Sequence, residues 1–258
     1  MLKDITLGQY FPGNSIAHKL DPRTKILLVT LYIIALFSAK GWMGYAVMVV
    51  TLAACVKVSH VGLRALVRGL KPLVFIIAFT GILNMFFTPD THYLWEWGIL
   101  RVSVKGIENA LFMVIRIMLL VMGTFLMTYT TSPIRLTDGL ESLLNPLKKI
   151  HVPVHELAMM MAIALRFIPT LIEETDKIMS AQKARGADFD SGNIFQKAKA
   201  LVPILVPLFI SAFRRADELA TAMECRCYHG GEGRTKLHVL KYQRRDYVAL
   251  AGGVVILA

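Results

Sequence analysis

The chain has 258 residues, 55% of them hydrophobic, with a mean hydropathy of +0.54 and a formal net charge of +11. This composition is too apolar for a soluble domain. The basic residues lie between apolar runs instead of forming the single patch of a nucleic-acid-binding protein, so a membrane protein with basic cytoplasmic loops fits better. The three cysteines, Cys55, Cys225 and Cys227, provide no disulfide framework and indicate a reduced setting.

The first half of the chain predicts four membrane spans. The polar first 25 residues contain no secretory signal peptide. Asp21 is a good N-cap and Pro22 a good first helical residue, so a helix is predicted to begin there. The apolar runs that follow predict spans at about 26–39, 42–56, 72–87 and 106–129. The first two form a hairpin that turns at Lys40-Gly41.

Two features of this half need separate interpretation. Residues 89–105 include Tyr93, Trp95 and Trp97, which predict an outer loop with an interfacial aromatic belt. Arg116 falls inside the fourth span, where a charge is costly unless it faces other helices or water. We interpret it as a structural partner or an interfacial side chain in preference to part of a transport path.

Charge asymmetry orients these spans. The N-terminal segment, the connector at 57–71 and the block at 130–245 are basic, whereas the loop at 89–105 is the least basic. Four spans with a cytoplasmic N-terminus place all three basic blocks in the cytoplasm. The chain is therefore predicted to be a multi-pass protein of the cell membrane.

The sequence changes character after residue 130. Amphipathic spacing predicts a short helix at 138–150 and long helices at 154–185 and 194–228. The first long helix carries too many charges to be predicted as a span, and Pro203 and Pro207 are expected to kink the second or end a preliminary segment. Residues 246–258 are apolar again and predict the start of a further transmembrane helix.

Both long helices carry an apolar stripe that ends in arginine. Steps of three and four residues run from Leu157 to Gln182 and then reach Arg185, and from Ala198 to Met223 and then reach Arg226. An antiparallel helix hairpin explains the stripes, and a helix dipole explains one terminal arginine. For two arginines at matching positions we favour a paired docking function, because the planar guanidinium suits carboxylates and carbonyls.

These residues resemble the transmembrane T component of energy-coupling factor (ECF) transporters. The resemblance covers nearly the whole chain and rests on three segments: Leu20-Asp21-Pro22-Arg23-Thr24-Lys25, Ala181-Gln182-Lys183-Ala184-Arg185-Gly186-Ala187 and Ala222-Met223-Glu224-Cys225-Arg226-Cys227-Tyr228. In that family two motif arginines insert into grooves of two cytoplasmic ATP-binding cassette ATPases. Long coupling helices support a membrane-embedded substrate-binding subunit, the S component.

The resemblance implies specific roles for residues of this chain. The ATPase-docking residues would be Ala184, Arg185, Gly186, Cys225, Arg226 and Cys227. ATP-Mg would be bound by the ATPases, so the chain itself would need no cofactor. Closure of the ATPases would move the arginine-tipped ends and tilt or release the S component. One departure is that cysteines flank Arg226 where the family often has Ala-Arg-Gly, which leaves open how the second helix ends.

A second surface follows from residue chemistry. Met159, Met160, Met161 and Phe209 lie on the long helices, and flexible, polarizable methionines suit a surface that accepts several partners. We therefore assign them to S-component contact, with an ordinary core role as the alternative.

Other signals are too weak to assign a site. His151 and His155 do not form the His-Glu-x-x-His zinc pattern, and Cys225, Cys227 and His229 lack a fourth ligand. The glycine-rich segment 230–236 lacks the ending of a phosphate loop. No metal site and no catalytic set are predicted.

The sequence therefore predicts an all-α polytopic membrane protein, with a transmembrane domain at 1–129, a cytoplasmic coupling-helix domain at 130–245 and a further helix from 246. The predicted function is that of a non-catalytic scaffold and coupling subunit of an ECF vitamin transporter. Its predicted partners are two ATPases, an S component and the lipid bilayer, with no nucleic acid. A nearer alternative is the equivalent component of a dedicated cobalt or nickel importer. A more distant alternative is an intramembrane enzyme with a regulatory cytoplasmic hairpin.

Overall fold

The computed structural model describes residues 10–88, 93–97, 100–187, 189, 193–230 and 239–257. Its helices are α1 (Ile16–Lys19), α2 (Pro22–Ser38), α3 (Gly41–Ser59), α4 (Leu63–Leu70), α5 (Val74–Phe87), α6 (Val104–Thr130), α7 (Pro133–Leu144), α8 (Val154–Ala184), α9 (Ile194–Cys225) and α10 (Arg244–Leu257). Short 3₁₀ segments lie at Lys71–Leu73 and Asn145–Ile150. The predicted all-α class is confirmed.

One short element departs from the helical pattern. Strands β1 (Tyr93–Trp97) and β2 (Leu100–Ser103) pair antiparallel, with Trp97 opposite Leu100 and an irregularity between Tyr93 and Trp95. They lie in the segment predicted as an outer loop. Aromatic residues favour strands as well as interfaces, and the sequence pattern did not distinguish the two.

The chain divides into two units. The bundle unit comprises mainly residues 8–142 and 240–258, and the paired-helix unit comprises mainly residues 143–239. The boundary is close to the composition change at residue 130, but α7 and α10 belong to the bundle unit.

The core of the bundle unit forms between α2, α3, α4 and α6. Tyr45, Met48, Leu52 and Val56 recur at helical spacing along α3 and bury one face of it. They pack with the buried residues Ala35, Leu36, Val61, Leu66, Leu119 and Tyr129. The opposite face of α3 stays exposed, for example at Met43 and Val50, as expected of a helix that faces lipid.

Helix α6 is the central packing partner of α5. Glycines allow the close approach: a Cβ at Gly81 would lie 2.9 Å from Val114, and one at Gly106 would lie 2.7 Å from the carbonyl oxygen of Met85. Small residues at helix contacts are typical of membrane bundles, since they let backbones approach.

Four helical stretches in the described residues are long and apolar enough to cross a membrane by length and composition: Gly41–Ser59, Leu63–Phe87, Val104–Thr130 and Val154–Ala184. The predicted spans at 42–56, 72–87 and 106–129 lie inside the first three. The predicted span at 26–39 lies in α2, which has 17 residues. Helix α8 qualifies through its apolar first half, so its predicted location outside the membrane stays a prediction.

Helix α9 runs without interruption through Pro203 and Pro207. Of the two alternatives for these prolines, the end of a preliminary segment is therefore wrong, and a kink stays a prediction. Pro207 has no N–H to donate to the carbonyl of Pro203, four residues earlier. The side chain of Gln182 on α8 supplies a donor instead, with Nε2 at 3.4 Å from the Pro203 oxygen.

Candidate functional site

The end of α8 is a complete Schellman motif with Arg185 at the C-cap. The N–H of Gly186 donates to the carbonyl of Lys183 at 2.9 Å, and the N–H of Ala187 donates to the carbonyl of Gln182 at 3.0 Å. Gly186 adopts a left-handed conformation with φ +85°. This pair of hydrogen bonds satisfies carbonyls that the helix would otherwise leave free. Ala184, Arg185 and Gly186 are all exposed at the resulting tip.

The end of α9 repeats the same motif with Arg226 at the C-cap. The N–H of Cys227 donates to Glu224 at 2.8 Å, and the N–H of Tyr228 donates to Met223 at 3.0 Å. Cys227 takes the left-handed position that Gly186 occupies in α8, with φ +55°. The question of how α9 ends without glycine is thus answered: the cysteine adopts the glycine conformation. Cys225, Arg226 and Cys227 are exposed.

Gly186 and Cys227 occupy the same left-handed position, so exchanging each for another residue is expected to change the stability of the two helix ends in opposite directions. A Cβ at Gly186 would meet open space, so a Gly186→Ala change alters only the backbone preference. We expect it to destabilise the last turn of α8 by about 1 kcal/mol, because a left-handed conformation costs non-glycine residues about that much.

Cys227→Gly is expected to relieve the same strain and stabilise the end of α9 by about 0.5 kcal/mol, since the greater freedom of glycine in the unfolded chain offsets part of the gain. Hydrogen–deuterium exchange at 182–187 and 223–228 measures both effects. Faster exchange at the end of α9 in Cys227→Gly would contradict the assignment.

The two arginine-capped ends belong to an antiparallel helix pair. Gln182, near the end of α8, bonds to Pro203, near the beginning of α9. Closer to the middle of both helices, Glu174 accepts hydrogen bonds from Arg215 at 2.9 and 3.2 Å and from the hydroxyl of Ser211. The paired stripes predicted an antiparallel hairpin, and these contacts set its register.

This register separates the two arginines. Arg185 follows Gln182 by one turn and so lies near Pro203, whereas Arg226 lies at the far end of α9. A helix rises about 1.5 Å per residue, which places the two tips about 35 Å apart along α9. The contact of Glu174 with Arg215 joins the two helices at a point between the two tips, so the position of one tip is fixed relative to the other.

Both arginines are available to a partner. They are exposed, and neither forms an ion pair with any residue that the structure describes. Each lies at the carbonyl end of a helix, where a cation is stabilised by the helix dipole. An unpaired guanidinium on a rigid helix end can enter an acidic or carbonyl-lined groove of a partner. The side chains in the rest of the helix lose little freedom when it does so.

Much of the two apolar stripes is left uncovered by helix pairing. Leu157, Met161, Leu205 and Phe209 remain 47–61% exposed. Met160 is also exposed and Met159 is half-buried, whereas the ring of Phe209 stacks on that of Phe213 at 6.3 Å. The register places the three methionines near the Arg226 end and Phe209 closer to the contact of Glu174 with Arg215. The predicted S-component surface is therefore extended along the pair.

Among the described residues, no three His, Cys, Asp or Glu side chains lie close enough together to hold a metal ion. Segment 231–236, weighed as a phosphate loop, lies outside the described residues. A further Arg-Gly pair, Arg68-Gly69, differs from the two arginine-capped helix ends because it lies within α4, where a Cβ at Gly69 would lie 2.6 Å from the ring of Phe125.

A buried carboxylate cluster joins the two ends of the bundle unit, and sequence reasoning missed it. Asp246, 1% exposed at the start of α10, accepts the backbone N–H of Asp21 at 2.9 Å with Oδ1 and that of Gln243 at 2.7 Å with Oδ2. Asp21 in turn caps α2 by accepting the N–H of Arg23, which confirms its predicted N-cap role. We call Asp21, Arg23 and Asp246 the carboxylate junction.

Arg23 extends the junction to α7 and to the segment that precedes α10. Its guanidinium pairs with both carboxylate oxygens of Asp21 at 3.1 Å, donates to Ser142 and lies 4.1 Å from the ring centroid of Tyr242. The hydrogen bond to Asp21 raises the pKa of Arg23. The Asp-Pro-Arg segment behind the family resemblance therefore has a structural role here. A signal was available in the isolated acid at the start of an apolar helix, which is typical of first-turn capping.

The comparisons with known proteins agree on one family. The family described as "Cobalt transport protein", CbiQ, matches residues 13–237. Proteins named "Energy-coupling factor transporter transmembrane protein EcfT" are 53% identical in Ruminiclostridium cellulolyticum, 55% in Clostridium kluyveri and 46% in Bacillus subtilis. Each alignment covers 100% of this chain and 96–97% of the relative. The predicted resemblance is confirmed: this chain belongs to the EcfT family of transmembrane components of energy-coupling factor transporters.

Proposed function

We propose that this chain is the scaffold and coupling subunit of an ECF transporter for vitamins or related micronutrients. Two cytoplasmic ATPases receive Arg185 and Arg226, and their ATP-driven motion passes through α8 and α9 to a membrane-embedded S component. The observation that carries the proposal is the repeated helix end: two Schellman motifs with the same hydrogen bonds, each presenting an exposed arginine.

The braced helix pair supports a mechanical role. Helices α8 and α9 contain 31 and 32 residues, about 46–48 Å each. The ion pair between Glu174 and Arg215, 2.9 Å long, fixes their register near the middle. When two ATPases approach each other, movement of one tip must displace the other helix as well. The chain transmits motion in this way without an active site of its own, and ATP-Mg binds to the ATPases.

The exposed stripes support contact with the S component. Met160, Met161 and Phe209 are each more than half exposed on helices that already have a packing partner. Together with half-buried Met159, they offer an apolar surface that adapts to different partners. Apolar contact of this kind suits an S component that binds and releases during transport.

The orientation follows from charge. Basic segments near Lys57–Lys71 and in residues 130–245 are assigned to the cytoplasm, with the β1–β2 hairpin outside. The N-terminus and the paired-helix unit are then cytoplasmic, where ATPases have access to Arg185 and Arg226.

A dedicated cobalt importer is the second candidate. It is favoured by the description of the matching family, "Cobalt transport protein". The full-length relatives named EcfT favour the ECF transporter. The two candidates share the docking of ATPases and differ in the membrane subunit that brings the substrate.

The proposal is tested by isolating the tagged chain from its native membranes in mild detergent and identifying every co-purifying subunit by mass spectrometry. We expect two ATP-binding cassette ATPases and at least one small membrane protein that binds a vitamin. Recovery of a metal-specific membrane subunit instead would favour the cobalt importer. Recovery of the intact chain with no ATPase would contradict both.

A further inference from the structure

A polar cavity lies in the bundle unit, at the end where α2 meets α3 and α5 meets α6. Its volume is about 370 Å³. Residues from four helix ends or faces surround it: Ala39, Lys40, Gly41, Tyr45, Asn84, Asn109, Phe112, Met113 and Arg116. The docking of ATPases or an S component, as proposed above, does not use this cavity.

The charge of the cavity is positive. Lys40 and Arg116 line it, and no carboxylate is found among the lining residues that the structure describes. The nearest acid along α6, Glu108, accepts a hydrogen bond from the indole of Trp42 and is not a lining residue. Two carboxamides, Asn84 and Asn109, add neutral donors and acceptors. Two cations with neutral donors form an environment that favours an anion.

Arg116 is held in place but keeps free donors. Its Nε donates to the hydroxyl of Tyr45 at 2.8 Å, and its guanidinium lies 5.6 Å from the ring centroid of Phe37 and 5.7 Å from that of Tyr45. Its two terminal nitrogens have no acceptor among the described residues. A guanidinium fixed through Nε and open at both terminal nitrogens is prepared for bidentate binding of phosphate or carboxylate.

The contacts of Arg116 also fix its depth. Arg116 is near the middle of α6, but Phe37 is in the last turn of α2 and Tyr45 is close to the beginning of α3. Helix α6 therefore extends past the α2–α3 corner, and Arg116 is near the level of that corner. A corner between two membrane helices is expected near the lipid headgroups, where a charged side chain is tolerated.

Apolar side chains flank the cavity at the same end of the bundle. Phe37 is 59% exposed, Trp42 57% and Met43 85%, and Ile107 and Leu111 on α6 are exposed as well. A soluble anion would gain nothing from these surfaces, whereas acyl chains would cover them. A tryptophan beside a cationic cavity is also typical of a membrane interface.

We propose that this cavity binds the phosphate of an anionic phospholipid. The guanidinium of Arg116 holds the singly charged phosphate by its terminal nitrogens, and the ammonium of Lys40 approaches the same phosphate from the rim. The acyl chains lie along Phe37 and Trp42. Because none of the described lining residues is a carboxylate that could pair with a choline or ethanolamine cation, phosphatidylglycerol binds more tightly than phosphatidylcholine.

The test is native mass spectrometry of the full chain, purified in mild detergent, delipidated and titrated with phosphatidylglycerol or with phosphatidylcholine of the same acyl chains. Arg116→Gln and Lys40→Gln are each expected to weaken retention of one phosphatidylglycerol about tenfold or more, as the loss of a charge-assisted hydrogen bond predicts. Lys40 is exposed, so its variant tests the cavity even where Arg116→Gln disturbs packing.

Arg68→Gln is the matched control, since it removes an exposed cation from α4 that does not line the cavity. Tyr45→Phe removes the hydrogen bond to Arg116 but no charge, and is expected to retain the lipid within a fewfold. Equal retention by wild type, Arg116→Gln and Lys40→Gln would overturn the proposal. Millimolar inorganic phosphate that displaced the lipid completely would also overturn it, by identifying the site as one for a free anion.

Discussion

Reversing both terminal charges, in an Arg185→Glu, Arg226→Glu double variant, is expected to abolish co-purification with the ATPases and substrate uptake. Each guanidinium lies on an exposed helix end, and in the proposed function it enters a groove of an ATPase. Loss of one hydrogen-bonded charge pair at an interface costs about 2–5 kcal/mol. Two such losses lower the affinity about a thousandfold or more. Co-purification followed by immunoblotting, and uptake in cells that lack the native chain, measure the two effects.

An Arg166→Glu, Arg214→Glu double variant is the control, because it changes the net charge equally at exposed positions on the same two helices. It is expected to keep both ATPases bound. The single variants Arg185→Glu and Arg226→Glu test the two proposed ATPase contacts separately. Each should weaken assembly without abolishing it. Normal uptake by Arg185→Glu, Arg226→Glu would rule out docking through these residues.

Removing the carboxylate of Asp246 is expected to destabilise the bundle unit, because two backbone donors lose their acceptor. Asp246→Ala leaves the buried N–H of Asp21 and the N–H of Gln243 without their acceptors. Each unsatisfied donor costs about 1–3 kcal/mol, so we expect a total of about 2–6 kcal/mol. Thermal unfolding in detergent, followed by circular dichroism, measures the change.

Asp246→Asn and Asp217→Ala distinguish hydrogen bonding from general effects of the substitution. The asparagine keeps one carbonyl oxygen and should lose roughly half as much stability as the alanine. Asp217 is exposed on α9, so its loss should change stability by less than about 0.5 kcal/mol. If Asp246→Ala unfolded at the wild-type temperature, the carboxylate junction would have no role in holding α2 and α10 together.

Local patterns predicted the helices well because the signals for them are local. Pro153 and the stripe from Leu157 placed the start of α8 at Val154, and Ala184-Arg185-Gly186 placed its end, both as observed. The Asp21-Pro22 start of α2 was equally clear. The positions of Arg185 and Arg226 at the ends of the two helices were predicted from spacing, since phase along a helix can be read from sequence; their docking role stays a prediction.

The features that were missed depend on contacts distant in sequence. Asp246 and Asp21 are 225 residues apart, so no periodicity connects them. The continuity of α9 past Pro207 depends on a donor from α8, and the depth of Arg116 depends on where α2 ends beside it. Cys227 adopts a left-handed conformation that composition does not favour, and only the hydrogen bonds of the turn show it.

The antiparallel register of α8 and α9 gives the paired-helix unit an approximate twofold symmetry. An axis through the contact of Glu174 with Arg215 exchanges the two helices and maps the tip at Arg185 onto the tip at Arg226. One copy of this chain can therefore match a partner that is itself a dimer, whether of identical or of similar subunits. The twofold symmetry is imperfect, because Gly186 at one tip corresponds to Cys227 at the other. A partner with two unlike subunits would distinguish the two tips by this difference.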